Sequence, residues 1–467
     1  MKKRFKFLSI SFVFFVTFSS IFSQTLTLQE VLLLVRKNHP VAKQAGILVD
    51  QAQANLLSSR GAFDPKINYE TANKFYGGKN YYDLGNLNLV IPTWPGADLW
   101  VGTNTASGVY LNPDETTPAG GLSSIGLTLP ILRNLITDQR RNTLRKAKLM
   151  IGQNQALKNL QLNELCREVI NAYADWYVAQ KEYEMYQESK TLANVRLQAI
   201  RNEVLAGSKA FIDTLETWVQ QQNFEIALSE SSAKRIKARM GLSVHLWTDS
   251  GQPLEPTESA IPEEIGFTLL DSLALSLGDT LHLELNPNLI NSRVDIEMAK
   301  LDQRLKKQAL LPELNIKYRA LGSGAFYQNP DYSLNDYQFG IKFGTSLILR
   351  KERGDFQMAK LKTESYELKF IQKQREIQNK TISLWQQRLR YLEIKNNYIQ
   401  VVNGYDLLYK SELIRMETGE SNMFLVNTRE LRLIEARLKN IQFKRKYIES
   451  NVNFIENSGV LWTLIQP

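Results

Sequence analysis

"LLPELNIKY", residues 310–318, changes its periodicity at Pro312. After the proline, Leu314, Ile316 and Tyr318 alternate with Asn315, Lys317 and Arg319. A period of two puts those sets on opposite faces of an extended strand. "AFDPKINYE", residues 62–70, repeats the device 247 residues earlier. After Pro65, Ile67, Tyr69, Thr71 and Phe75 oppose Lys66, Asn68, Glu70 and Lys74. Each of these prolines has another 25 residues upstream, Pro40 in "NHPVAK" and Pro287 in "NPNLIN". A proline is tolerated in the first turn of a helix, where its missing N–H costs nothing. A proline further on closes the helix before it. The duplicated phrase therefore reads helix, then strand, twice.

Each half holds a second alternating run. In "SSIGLTLPIL", Ile125, Leu127, Leu129 and Ile131 oppose Ser124, Gly126, Thr128 and Pro130. In "DYQFGIKFG", Tyr337, Phe339, Ile341 and Phe343 oppose Gln338, Gly340, Lys342 and Gly344. Four strands are thus expected, at about 65–76, 121–132, 313–323 and 335–347. Residues 77–120 between the first two are rich in Gly, Asn, Pro and Tyr and read as an outer loop with room for a hairpin of its own.

The chain has 467 residues and a formal charge of +9. Lys2, Lys3, Arg4 and Lys6 supply four of those charges and precede the apolar run "FLSISFVFFVTFSSIF". Residues 1–23 read as a secretory signal peptide and are set aside. The remaining +5 is spread among acidic residues, which argues against nucleic-acid binding. Cys166 is alone, so no internal disulfide can form, and a small buried apolar role suits it. His39, His245 and His282 are far apart and show no metal-ligand spacing. No later segment is apolar enough for a transmembrane helix. An exported chain with alternating, aromatic-rich strands fits a membrane β-barrel. Four strands cannot close one, because small barrels begin at about eight and open edges are not tolerated in lipid. The strand count asks for several copies of the chain.

Between the strand pairs lie very long helices. From Leu162, the series Leu165, Val169, Ala172, Trp176, Ala179, Tyr183 and Tyr186 steps by three and four. It continues through Lys190, Ala193, Leu197, Ile200 and Val204. Heptads sustained this far predict a coiled-coil helix, here over 137–206. About 65 residues at 1.5 Å each span ~100 Å. Helices at 210–240, 355–417 and 422–456 are expected likewise. In the third of these long helices, Ile382, Trp385, Leu389, Leu392 and Ile399 form one seam, while Leu384, Tyr391, Tyr398 and Tyr405 form another. Two seams call for two neighbours. The polar, proline-rich stretch with Pro253, Pro256 and Pro262 predicts a linker over 247–280, dividing a first repeat (24–246) from a second (281–467).

This order of elements resembles the TolC-like outer membrane efflux family, the exit ducts of tripartite pumps and type I secretion. The phrases that carry the resemblance are "LTLQEVLLLVRKNHPVAKQAG", "RGAFDPKINYE", "LTLPILRN", "VLAGSKAFIDTLE" and "METGESNMFLV". The resemblance implies an α+β membrane protein. Four strands from each of three chains would form a twelve-strand barrel, and the antiparallel helices a periplasmic α-barrel. It further implies a homotrimer in outer-membrane lipid, with a periplasmic adaptor (membrane fusion) protein and an inner-membrane transporter as partners. It implies no enzyme activity and no cofactor. In the family, acidic residues narrow the periplasmic entrance in a pattern like G-x₅-D-x₂-D in the second repeat. Here Gly419 is followed at that spacing by Leu425 and Thr428, so that ring does not carry over. The first repeat has Gly207, Asp213 and Glu216 at the same spacing. Those two carboxylates share a helix face, and also suit an ordinary solvated helix start. Gly207, Ser208, Gly419 and Ser421 mark the helix tips expected to meet an adaptor. Lys66, Lys317 and Lys342 sit on the polar side of their strands and would face the lumen.

A periplasmic coiled-coil adaptor is the competing reading, since it shares the helices and the export signal but not four alternating strands. An exported enzyme finds no support: there is no GxSxG, ligand cluster or phosphate loop.

Overall fold

Pro40 and Pro287 each begin a helix, and Pro65 and Pro312 each stand one residue before a strand. The structure, a computed structural model, describes residues 25–264, 267–278 and 283–465. The expected signal peptide and His282 lie outside those residues. In chain order the first elements are β1 (Thr25–Leu26), α1 (Leu28–Asn38) and α2 (Pro40–Arg60). The strands β2 (Lys66–Tyr76), β3 (Lys79–Pro92), β4 (Asp98–Ser107) and β5 (Leu122–Pro130) follow. Then come α3 (Gln139–Leu205), α4 (Phe211–Ser243), β6 (Ile261–Pro262), α5 (Phe267–Leu277) and α6 (Pro287–Gln308). The chain ends with β7 (Glu313–Ser323), β8 (Tyr332–Gly344), α7 (Arg350–Glu417) and α8 (Met423–Asn457).

One compact unit comprises residues 40–168, 270–392 and 449–467. Its sheet has the order β2-β3-β4-β5-β7-β8, with every neighbouring pair antiparallel. Helix α6 starts where Asn286 accepts a hydrogen bond from the Asn288 amide at 3.0 Å, with Pro287 in the first turn. Away from the sheet, the Trp385 and Phe454 rings meet at 5.1 Å. Arg388 is buried and donates to Asn451 and to Asp271, and Asn451 donates to Asp271 at 2.9 Å. Cys166 is fully buried, and burial pushes its thiol up to about 12, as expected of an inert packing residue. Helix α7 buries Ile377, Thr381 and Arg388 but leaves Leu361, Leu368, Ile371, Ile382 and Leu389 exposed. These exposed residues fall on one coiled-coil stripe: Ile382 and Leu389 belong to the first expected seam and Leu361, Leu368 and Ile371 extend it, while Trp385 of the same seam packs on Phe454.

The other unit comprises residues up to His39, 169–269 and 393–448. A reciprocal capping box starts α1: the Glu30 amide donates to the Thr27 hydroxyl at 3.1 Å, and the Thr27 amide to the Glu30 carboxylate at 2.9 Å. The buried Tyr173 hydroxyl donates to the carbonyls of Leu26 (2.7 Å) and Glu263 (3.2 Å), tying the parallel β1–β6 pair to α3. Met185, Ala193, Phe224 and Ile434 form a buried cluster shared by α3, α4 and α8. Of the long α3 seam, Val169, Trp176, Ala193, Leu197 and Ile200 are buried. Lys190, the one charged seam position, is half-buried and pairs with Glu225 at 2.7 Å.

Two expectations need correction. The sheet has six strands per chain, not four, because β3 and β4 lie within residues 77–120, the stretch read as an outer loop. Its Gly, Asn and Pro content suggested a loop, yet Leu87, Leu89 and Ile91 alternate with Asn86, Asn88 and Val90. The second correction concerns residues 247–280, which hold α5 as well as a linker. Three prolines dominated that reading, whereas "FTLLDSLALSL" buries Leu270 and Ala274.

Candidate functional site

The sheet separates its side chains by chemistry. One cross-strand row is Ile67, Leu89, Val101, Ile125, Ala320 and Tyr337, running through all six strands. Another is Leu99, Leu127, Tyr318 and Phe339. The next row on the opposite face begins Asn68, Asn88, Gly102 and Ser124. Lys66, Lys317 and Lys342 occupy this polar face, as expected of them. Lys342 pairs with Glu313 at 3.2 Å. Such a wall suits lipid on one side and water on the other. Its two ends are β2, exposed along its length, and β8. Ile67 is 73% exposed, Tyr69 71% and Ile341 61%, values out of place on a finished surface. Aromatics gather toward the strand ends: Tyr81 meets Tyr76 at 6.0 Å and Tyr110 at 4.8 Å, and Phe63 meets Trp94 at 5.7 Å.

Trp100, Gly126 and Arg319 are consecutive partners across β4, β5 and β7. Gly126 has no side chain, so those of Trp100 and Arg319 meet above it, with the guanidinium carbon 4.3 Å from the indole centroid. A Cβ on Gly126 would lie 2.1 Å from the Tyr318 carbonyl oxygen and 2.7 Å from Arg319 Cα.

The two helix tips end by the same device. After α3, Gly207 takes φ +73°; its amide donates to the Val204 carbonyl at 3.0 Å, and the Ser208 amide to Glu203 at 2.9 Å. After α7, Gly419 takes φ +79°; its amide donates to Met416 at 3.1 Å, and the Glu420 amide to Arg415 at 2.8 Å. Both are Schellman closures, which need a left-handed residue that glycine adopts most easily. The Ser421 hydroxyl donates to Glu412 at 2.6 Å. That bond, opposed by burial and helped by Arg429 and Arg415, holds the Glu412 carboxyl below the usual range. Asn422 accepts from the Leu425 amide at 3.0 Å and caps α8.

Asp213 and Glu216 lie in the first two turns of α4, and both are half-buried. Burial, and then the charge of Asp213, raise the Glu216 carboxyl above its ordinary value. Leu425 and Thr428 lie in the first turns of α8, where the Thr428 hydroxyl donates to the Phe424 carbonyl at 2.8 Å. Each pair therefore occupies its own helix start.

Near the second tip lies a buried charge network that the sequence does not announce. The Arg196 guanidinium donates to both Glu430 oxygens, at 2.6 and 3.0 Å, and to the Tyr409 hydroxyl at 2.8 Å. Burial opposes the Arg196 charge, but the hydrogen bonds and charge of Glu430 outweigh it and raise its pKa. Ile200, Met423 and Val426 pack beside it, with Val204, Tyr409, Leu413 and Met416 around them. Arg196 and Glu430 are 234 residues apart, so no local spacing reveals the pair. Among the described residues, no group of three or more His, Cys, Asp or Glu could hold a metal ion, and no helix is long and apolar enough to cross a membrane.

No protein-family model matches the sequence, and no curated protein matches it. Solved structures do match. The Campylobacter jejuni CmeC outer membrane channel is 14% identical at TM-score 0.61, covering 93% of this chain and 85% of that one. The open state of the Neisseria gonorrhoeae MtrE outer membrane channel is 12% identical at TM-score 0.63, covering 92% and 88%. The Vibrio cholerae outer membrane protein VceC is 10% identical at TM-score 0.62, covering 92% and 96%. The chain has the TolC-like outer membrane channel fold. In the terms of that fold, β2–β5, β7 and β8 are its strands, and the α3–α4 and α7–α8 turns are its helix tips.

Proposed function

We propose that this chain is an outer-membrane channel-tunnel of a Gram-negative bacterium, extending into the periplasm. It passively conducts substrates that an inner-membrane transporter exports through a periplasmic adaptor, and it works as a homotrimer. The observation that carries this reading is the two-faced sheet with unpaired end strands. Its apolar face suits lipid, but unpaired strand edges in lipid cost several kcal/mol per backbone group. Sister copies supply the missing neighbours. The open α7 stripe, with Leu368 and Ile371 each 62% exposed, supports a second contact between copies.

In this assembly Gly207, Ser208, Gly419 and Ser421 lie at the tips that meet the adaptor. Asp213 and Glu216 line the periplasmic entrance, where three copies bring up to six carboxylates together and favour cations. Leu425 and Thr428 take the corresponding positions without charge. The duct performs no chemistry; it keeps polar solutes in water across a membrane. The test is to wash membranes with alkaline carbonate and then to measure the mass of the detergent-solubilised protein by light scattering. Retention in the membrane and a trimer mass are expected. Release by carbonate, as for an unanchored adaptor, or a stable monomer would overturn the reading.

A further inference from the structure

The hairpin β3–β4 sits inside the sheet, between β2 and β5, and not on its rim. We propose that these two strands are wall strands, so that three copies close an eighteen-strand barrel and not a twelve-strand one. The inference rests on the trimeric reading above and concerns the strands each copy contributes.

Three features of the chain carry it. First, β2 and β3 are joined by two residues only, Gly77 and Gly78, with φ of +60° and +76°. Two positive φ values in a two-residue loop make a tight hairpin whose twist matches its strands. Wherever β2 runs, β3 must return beside it. Second, the apolar rows pass through the hairpin in phase. Leu89 and Val101 continue the row from Ile67 to Ile125, while Asn88 and Gly102 continue the polar row from Asn68 to Ser124. A one-residue slip would invert both faces. A hairpin destined for solvent has no such constraint.

Third, the short turn at residues 93–97 is built and tied down at the end of the sheet from which α3 departs. The Thr93 amide donates to the Ala97 carbonyl at 2.9 Å, and the Gly96 amide to Thr93 at 3.1 Å. Arg140 pairs with Asp98 at 2.9 Å, and Arg145 and Lys148 lie 6.0 and 5.8 Å from the Trp94 ring. Short turns at the inner end are part of the pattern of outer-membrane barrels.

Closure then follows from direction. Six strands in strict antiparallel order leave β2 and β8 running oppositely. The β8 of one copy can therefore pair antiparallel with the β2 of the next. Barrel diameter grows roughly linearly with strand number, so the bore is about one and a half times as wide as with twelve strands.

The test uses the full-length trimer in a Cys166→Ala background, which removes the only cysteine. Intrachain disulfides are expected for the pair Ile67→Cys with Leu89→Cys and for the pair Val101→Cys with Ile125→Cys, read by peptide mass spectrometry. Ile67→Cys with Ile125→Cys is expected to stay reduced, since two strands separate these positions. An end-on view by electron cryo-microscopy should count eighteen strands. A trimer with an Ile67–Ile125 disulfide, or with twelve strands, overturns the inference and leaves the channel reading standing. A chain that remains monomeric overturns both.

Discussion

Arg319 rests its guanidinium 4.3 Å from the centroid of the Trp100 ring, across a strand that offers only Gly126 between them. The contact joins a residue of the first half of the chain to one of the second, and it needs β4 in the sheet. Gly126→Ala places a methyl group against the Tyr318 carbonyl and the Arg319 backbone. Overpacking of this kind costs about 1–3 kcal/mol. The assembled oligomer should dissociate at a lower temperature than wild type on semi-native electrophoresis, while Gly340→Ala, where a Cβ meets nothing within 4 Å, should not change it.

Arg196 and Glu430 hold each other in a buried site. Arg196→Met leaves Glu430 buried without its partner, and breaking a buried pair from one side costs about 3–5 kcal/mol. A thermal melt followed by circular dichroism should show an early transition. Arg196→Met with Glu430→Leu should recover much of the loss, because an apolar pair of similar size avoids the stranded charge.

His39 stacks on His245 with ring centroids 5.9 Å apart. Burial, and then the charge of His245, lower the His39 pKa from 6.5 to about 4. The unfolded chain therefore binds a proton at a pH where the folded one does not. Stability should rise with pH between about 4 and 6.5 and be flat above that window, as far as this residue contributes. Denaturant melts across that range should have a shallower pH slope for His39→Gln. An unchanged slope would contradict the assignment.

Glu216 has its carboxyl raised by burial and by Asp213. A raised acid is protonated in the folded state before it is in the unfolded one, so its ionisation disfavours the fold as pH rises through that interval. At the proposed entrance, Glu216 loses its charge on acidification sooner than an ordinary glutamate would. Reversal-potential measurements should show cation preference falling with pH in the wild type. Asp213→Asn with Glu216→Gln should start with weaker cation preference and little pH response. Unchanged selectivity in the double variant would remove these residues from the entrance.

The long helices and four of the six sheet strands were legible because their signals are periodic. Heptads marked α3, and alternation marked β2, β5, β7 and β8. Strands β3 and β4 were hidden by composition. A wall strand that faces water on one side can fill that side with Asn and Gly, as Asn86, Asn88 and Gly102 do, and these are also loop residues. Helix α5 was overshadowed by the prolines before it. At the tips, Gly207 and Gly419 could be found as helix stops. The Arg196–Glu430–Tyr409 network could not, because it exists only once three distant helix segments have packed.

Single-channel recording of the purified protein in a planar lipid bilayer tests the shared bore most directly. Stable, open-channel ion currents are expected, arising from the trimer fraction and absent from buffer containing detergent alone. Trimeric protein that inserts but passes no current would contradict a water-filled duct.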